Sequence, residues 1–134
     1  MNMLGEIIDL QSLEDSRGGL VVAETQRHIP FEVKRVYWIH GTQSGVERGF
    51  HAHKALRQVA VAVSGSCYMV LDDGIDQATV HLNSPKQGVL IGPRVWHVMS
   101  NFSKDCVLLV FADMHYDELD YIRSYDEFTS WISK

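Results

Sequence analysis

Two histidines two residues apart, His51 and His53, are the most chemically suggestive feature of this 134-residue chain. Side chains at i and i+2 of a β-strand point to one face, so both imidazoles would meet the same ligand. An imidazole has an ordinary pKa near 6.5 and can accept and return a proton around neutrality. The same pair is also the start of a metal site, if further ligands join it. The run Gly45-Val-Glu-Arg-Gly-Phe-His51-Ala-His53-Lys-Ala-Leu-Arg-Gln58 surrounds them with a Gly-containing loop and the cations Arg48, Lys54 and Arg57. Such cations suit a small ligand that carries phosphate.

The elements that must hold this pair read as strands from residue 5 to about residue 112. Ile7, Ile8 and Leu10 begin the pattern, and Gly18-Gly19 reads as a hairpin turn before Leu20-Val21-Val22-Ala23. Val33 to Ile39 is rich in β-formers around Tyr37 and Trp38, and Gly41 to Gly49 reads as a loop. The run QVAVAVS at 58–64 leads through Gly65 into Cys67–Leu71, and Asp73-Gly74 is a turn signal. Short strands follow near 77–82, 88–91, 95–99 and 106–112. Strands at this spacing predict an antiparallel sandwich or barrel. The tail differs: Ser124 and Glu127 form a capping-box pair, and Phe128, Trp131 and Ile132 recur at helical spacing. The expected architecture is an all-β barrel closed by one short C-terminal helix.

Composition narrows the partners. With 46% hydrophobic and 22% charged residues the chain is globular, and one domain over 1–134 is expected. The formal net charge of −5 argues against nucleic acid, which usually selects a basic excess. No stretch approaches the roughly 20 apolar residues of a membrane span. The start, MNMLGEIIDL, has no basic n-region, and a cytoplasmic location is expected. Cys67 and Cys106 are isolated and read as buried small hydrophobes. The charge is uneven: residues 27–57 carry a net +4 while residues 1–26 and 105–134 are acidic, at −4 and −5. The two histidines lie inside the basic window.

The spacing from Gly45 through His51, His53 and Gln58 to Gly65 resembles the first motif of the cupin superfamily, whose fold is a small double-stranded β-helix or jelly-roll barrel. Gly88, Pro93, His97 and Asn101 resemble its second motif, with a shortened Pro-to-His interval. Metal-dependent cupins add an acidic residue to their histidines; here that position is Gln58. Without the anionic ligand, the expectation is a barrel that holds no metal, in which the histidines titrate.

A wider set of residues is more specific. The run RGFHAHKALRQVAVAVSGS, the Asp72-Asp73-Gly74 turn, Val95-Trp96-His97 and the tail Tyr121-Ile-Arg-Ser-Tyr-Asp-Glu-Phe128 together resemble the sugar 3,4-ketoisomerases. The resemblance implies a metal-free, cofactor-independent isomerase acting on dTDP-4-keto-6-deoxyglucose. It further implies a homodimer with N-terminal strands exchanged between subunits. The product would be aminated at carbon 3 for surface-polysaccharide sugars such as O-antigen components, or for glycoprotein sugars. The runner-up is a 3,5-epimerase of the same substrate, usually a longer chain that pairs a histidine with an aspartate and a distant tyrosine. Metal-dependent and non-catalytic sugar-binding cupins are further alternatives.

On that resemblance His51 is the expected base and His53 its proton-relaying partner, with the reverse order open. Tyr37 is the expected donor to the developing enolate, or else a barrel-wall aromatic, and Arg48 is a second donor candidate. Arg17, Arg48 and Lys54 are candidates for the diphosphate. By strand alternation, however, Lys54 points away from the histidines. Arg17 with His97 resembles the branch whose product is galacto-configured at carbon 4. Trp38 is either a base-stacking aromatic at the barrel mouth or part of the core.

Overall fold

The structure is a computed structural model that describes residues 4–134. Among the described residues, twelve strands and one α-helix follow in chain order. They are β1 (Ile7–Asp9), β2 (Gln11–Asp15), β3 (Gly18–Val22), β4 (Arg35–His40), β5 (Arg48–His53) and β6 (Gln58–Ser64). Then come β7 (Cys67–Asp72), β8 (Gln77–Leu82), β9 (Gln87–Ile91), β10 (Trp96–Ser100), β11 (Val107–Ala112), β12 (Tyr121–Ile122) and α1 (Tyr125–Ile132). One five-stranded sheet has the order β1-β9-β6-β11-β4, and it faces a second of order β12-β5-β10-β7-β8. All strand pairs are antiparallel. This is the expected all-β cupin barrel with its short C-terminal helix.

Alternation sorts each strand into an inner and an outer face. Ala60 and Ala62 of β6, Met69 and Leu71 of β7, and Leu108 and Val110 of β11 are buried together between the sheets. The opposite face of β6 is covered too: Val59 and Val61 pack on Ile29 and Phe31. Hence Gln58 to Ala62 are buried on both sides, with the small alanines inward, where they leave room inside the barrel. The outer face of the second sheet carries Ala52, Trp96 and Ile122, which pack on Phe128 of α1. Ser124 caps that helix, accepting from the Glu127 backbone N–H at 3.4 Å, as its sequence predicts. Cys67 and Cys106 are free and buried, as expected.

Two local expectations change. The first hairpin turns at Ser16-Arg17, not at Gly18-Gly19, because Asp15 pairs with Gly18 across the ladder. The Asp15 carboxylate accepts from the Arg17 backbone N–H at 2.8 Å, an Asx-type turn that places Arg17 at the tip. The final strand β12, preceded by a 3-10 turn at Glu118–Asp120, is too short to leave a periodic signal in the sequence. No helix among the described residues is long and apolar enough to cross a membrane.

Candidate active site

One end of the barrel opens into a cavity of about 330 Å³. Its wall is made by inward-facing side chains of both sheets: Arg35, Tyr37 and Ile39 from β4, His51 from β5, Gln58 from β6, and His97 and Met99 from β10. Arg48, Trp38, Tyr121 and Arg123 line it as well. Trp38 is 59% exposed, so it belongs to the mouth and not to the core.

A bulge aims the histidines. Along β5 and β10, His97 pairs with His51 and Val98 with Gly49, so Phe50 is the extra residue. Gly49 and Phe50 both have positive φ, 95° and 59°. A Cβ at Gly49 would sit 2.8 Å from the His97 carbonyl oxygen, so only glycine permits this approach of the strands. Beyond the bulge, alternation brings His51 and His53 to one face as predicted, with ring centroids 5.1 Å apart. His97 closes the cluster at 4.5 Å from His51 and 5.9 Å from His53.

Each imidazole is anchored through Nδ1. His51 Nδ1 lies 3.1 Å from the Gly49 carbonyl and His97 Nδ1 lies 3.3 Å from that of Val95. His53 Nδ1 lies 3.2 Å from Oδ2 of Asp120. A carbonyl can only accept, so Nδ1 of His51 and His97 carries the proton and Nε2 is left with a lone pair. Burial pushes the pKa of His51 below its ordinary value. His53 is pushed down to about 4, first by burial and then by the neighbouring His51, against the pull of Asp120. Burial, with His51 and His53 beside it, takes His97 down to about 3. All three are therefore neutral bases at neutral pH.

Across the cavity, the Tyr37 hydroxyl donates to Gln58 Oε1 over 2.5 Å. Burial, reinforced by Tyr121, raises the Tyr37 pKa to about 12, so the group is a proton-bearing donor. Arg35 lies 5.3 Å from the Tyr37 ring centroid, and its Nε is buried with no hydrogen-bond partner among the described residues. Arg123 stacks at 4.2 Å over the Tyr121 ring and makes a two-point contact with Glu118, 2.9 and 2.8 Å long.

The imidazoles also outline a cation site, since one ring nitrogen from each lies within 4.8 Å of the others. The fourth side chain does not fit that role. Gln58 is neutral, and its carboxamide oxygen already accepts from Tyr37. Asp120, the one carboxylate against the cluster, is turned to the anchoring nitrogen of His53.

Of the residues singled out from sequence, His51, Tyr37, Arg48 and His97 line the cavity and His53 lies directly against it. Lys54 is exposed and outside the cavity lining, in line with strand alternation. Arg17 lies at the hairpin tip, paired with Asp15 at 2.5 Å and outside this cavity within its own chain. Arg57 pairs instead with Asp113 at 2.9 Å. Sequence reasoning passed over Arg35, Tyr121, Arg123 and Asp120. Arg35 was recoverable, because it stands two residues before Tyr37 and so shares its face. The histidine–aspartate pair associated with the epimerase alternative is present here at His53 and Asp120, so it does not separate the two readings.

Residues 3–133 match the model of the family described as "FdtA: WxcM-like, C-terminal". A TDP-4-oxo-6-deoxy-alpha-D-glucose-3,4-oxoisomerase from Aneurinibacillus thermoaerophilus is 49% identical over 132 residues, 98% of this chain and 95% of that protein. The crystal structure of a 3,4-ketoisomerase from Helicobacter canadensis superposes with a TM-score of 0.93 at 43% identity, covering 96% of this chain and 97% of the other. A histidine-to-asparagine mutant of the 3,4-ketoisomerase QdtA from Thermoanaerobacterium thermosaccharolyticum, in complex with TDP-4-keto-6-deoxyglucose, gives 0.95 at 38% identity over 99% and 96% of the two chains. With a barrel, three anchored imidazoles and this degree of likeness, the chain is an isomerase and belongs to the FdtA family of cupin-fold sugar 3,4-ketoisomerases.

Proposed function

We propose that this protein converts dTDP-4-keto-6-deoxy-D-glucose to the 3-keto isomer by proton transfer through an enediol. The observation that carries this reading is the cluster of neutral imidazoles facing the Tyr37 hydroxyl across one cavity. The 4-keto group acidifies the hydrogen on carbon 3. His51 removes that proton, and the C–H electrons form the carbon 3–carbon 4 double bond of the enediol. The carbonyl electrons move to the oxygen on carbon 4, which takes up a proton to complete the enediol. A proton returned to carbon 4, with loss of the proton from the oxygen on carbon 3, then leaves the ketone at carbon 3. Atoms and electrons balance within the sugar, so no redox partner is required. Tyr37 donates toward the developing enolate oxygen, a role its raised pKa supports. His53 is the relay beside His51.

Arg48 and the mouth arginines Arg35 and Arg123 meet the diphosphate, and Trp38 meets the base. The chemistry runs on histidine, with no metal and no other cofactor, a reading favoured by the neutral, already engaged Gln58. The enzyme works in the cytoplasm as a homodimer. Exchange of the β2–β3 hairpin, whose Leu13 and Leu20 are 55% and 56% exposed, would carry Arg17 to the partner's cavity. There, opposite His97, it would direct carbon-4 protonation to the face that yields the galacto product. Lys54 is left as a peripheral phosphate contact.

Incubation with dTDP-4-keto-6-deoxyglucose in deuterium oxide, followed by proton NMR, tests the proposal. The expected result is a 3-keto product carrying deuterium at carbon 4 with galacto configuration. Deuterium at carbons 3 and 5 with the carbonyl unmoved would indicate epimerisation instead, and no turnover would overturn the catalytic reading.

A further inference from the structure

Asp120 is buried, 8% exposed, and stands 67 residues after its partner His53. Its carboxylate gathers three donors around one short segment. Oδ1 accepts from the Ala55 backbone N–H at 2.8 Å, while Oδ2 takes the Leu56 N–H at 3.3 Å and His53 Nδ1 at 3.2 Å. Its backbone carbonyl accepts from Lys54 N–H at 3.0 Å. The next residue, Tyr121, pairs with His53 in the ladder, and its ring lies 4.4 Å from that imidazole. The carboxylate therefore locks the chain turn that follows β5 and the ring that ends it.

From this arrangement we propose that Asp120 is a positioning residue for proton transfer. It holds His53 as the Nδ1–H tautomer with Nε2 turned to the cluster, and it is the counter-group when His53 carries a proton. The inference deepens the proposed function, since it rests on His53 as the relay. Among the three imidazoles only His53 is anchored by a carboxylate; His51 and His97 are anchored by carbonyls. A carboxylate stabilises an imidazolium more than a neutral carbonyl does, so Asp120 makes the buried His53 a better transient proton acceptor than it would be without that partner. Its Nε2 takes the proton while Nδ1–H stays on Asp120, and release from Nε2 restores the starting tautomer. The other groups facing His53 are His51, His97, Tyr121 and Arg35, none of them anionic in their ordinary states.

The test uses full-length protein labelled with ¹⁵N on histidine, wild type and Asp120→Asn. In resting wild type, the His53 ring should show one protonated nitrogen, Nδ1; an Nε2–H tautomer would overturn the proposal whether or not the enzyme turns over. In Asp120→Asn, the ring should become a mixture of tautomers while binding of dTDP stays within about threefold. With the isomerase assay in hand, kcat should fall about tenfold to hundredfold. KM should move little, and the acid limb of kcat should shift to lower pH. A variant that binds dTDP, keeps kcat within twofold and keeps one tautomer would overturn the proposal. If Asp120→Asn fails to bind dTDP, the wild-type tautomer and its titration decide. Wild-type turnover failing while the tautomer is Nδ1–H would sink the isomerase reading alone.

Discussion

The Tyr37 hydroxyl donates to Gln58 Oε1 over 2.5 Å, joining β4 to the position on β6 where metal-dependent cupins place an acid. This bond engages the carboxamide oxygen and gives the phenol a fixed direction inside the cavity. With its pKa raised to about 12 by burial, Tyr37 stays protonated through the whole working range. Tyr37→Phe should lower kcat about a hundredfold if the hydroxyl stabilises the enolate. Steady-state kinetics with intact dTDP binding makes the check, and a kcat within twofold of wild type would remove Tyr37 from the mechanism.

His51→Asn and His53→Asn should each lose at least about a hundredfold in turnover, the usual contribution of a positioned acid or base. Both should retain dTDP binding in calorimetry, since the diphosphate contacts proposed above are arginines and not these imidazoles. Near-normal activity in both variants would contradict the proton-shuttle assignment.

The pH response has a defined sign. The folded protein holds His53 at about 4 and His97 at about 3, whereas an unfolded chain titrates its histidines near 6.5. Between these values the unfolded state binds more protons than the folded one. Stability is therefore full above about pH 6.5 and falls as the pH drops toward 4 and then 3. Urea midpoints at pH 7.5, 6 and 5 should decline in that order, and replacement of His97 by Asn should flatten the decline. The kcat/KM profile should likewise hold at neutrality and drop on the acid side, below the ordinary histidine pKa, as His51 is protonated.

Gly49→Ala should be severe for its size. The new methyl would meet the His97 carbonyl at 2.8 Å on a backbone with φ of 95°, so the bulge must open. Loss of activity by more than about tenfold with a measurable fall in melting temperature is expected. Full activity with unchanged melting would show that the bulge does not set the histidine geometry.

Metal removal offers a separate test. Protein dialysed against a strong chelator should keep its activity, because Gln58 supplies no anionic ligand. Added zinc should inhibit by occupying the three imidazoles, which are close enough to share one ion. Activity lost to the chelator and restored by a stoichiometric metal would reverse this reading.

Local patterns determined much of the molecule. The alternation in Gln58–Ser64 and Val107–Ala112, the turn at Asp73-Gly74 and the Ser124 cap all depend on neighbours within a few residues, and the sequence displays them directly. The placing of His51 and His53 on one face follows from the two-residue period of a strand. What the chain could not display is register between distant strands. The Tyr37–Gln58 bond spans 21 residues and the His53–Asp120 pair spans 67, and each exists only because loops set which residues stand opposite. Arg17 makes the same point in reverse: its type and loop position suit a phosphate, yet the Asx turn sends it to a hairpin tip beside Asp15. Side-chain chemistry and strand period are properties of short segments. Convergence of three imidazoles, a phenol and a buried carboxylate is a property of the closed barrel, where long loops bring together residues that share no local pattern.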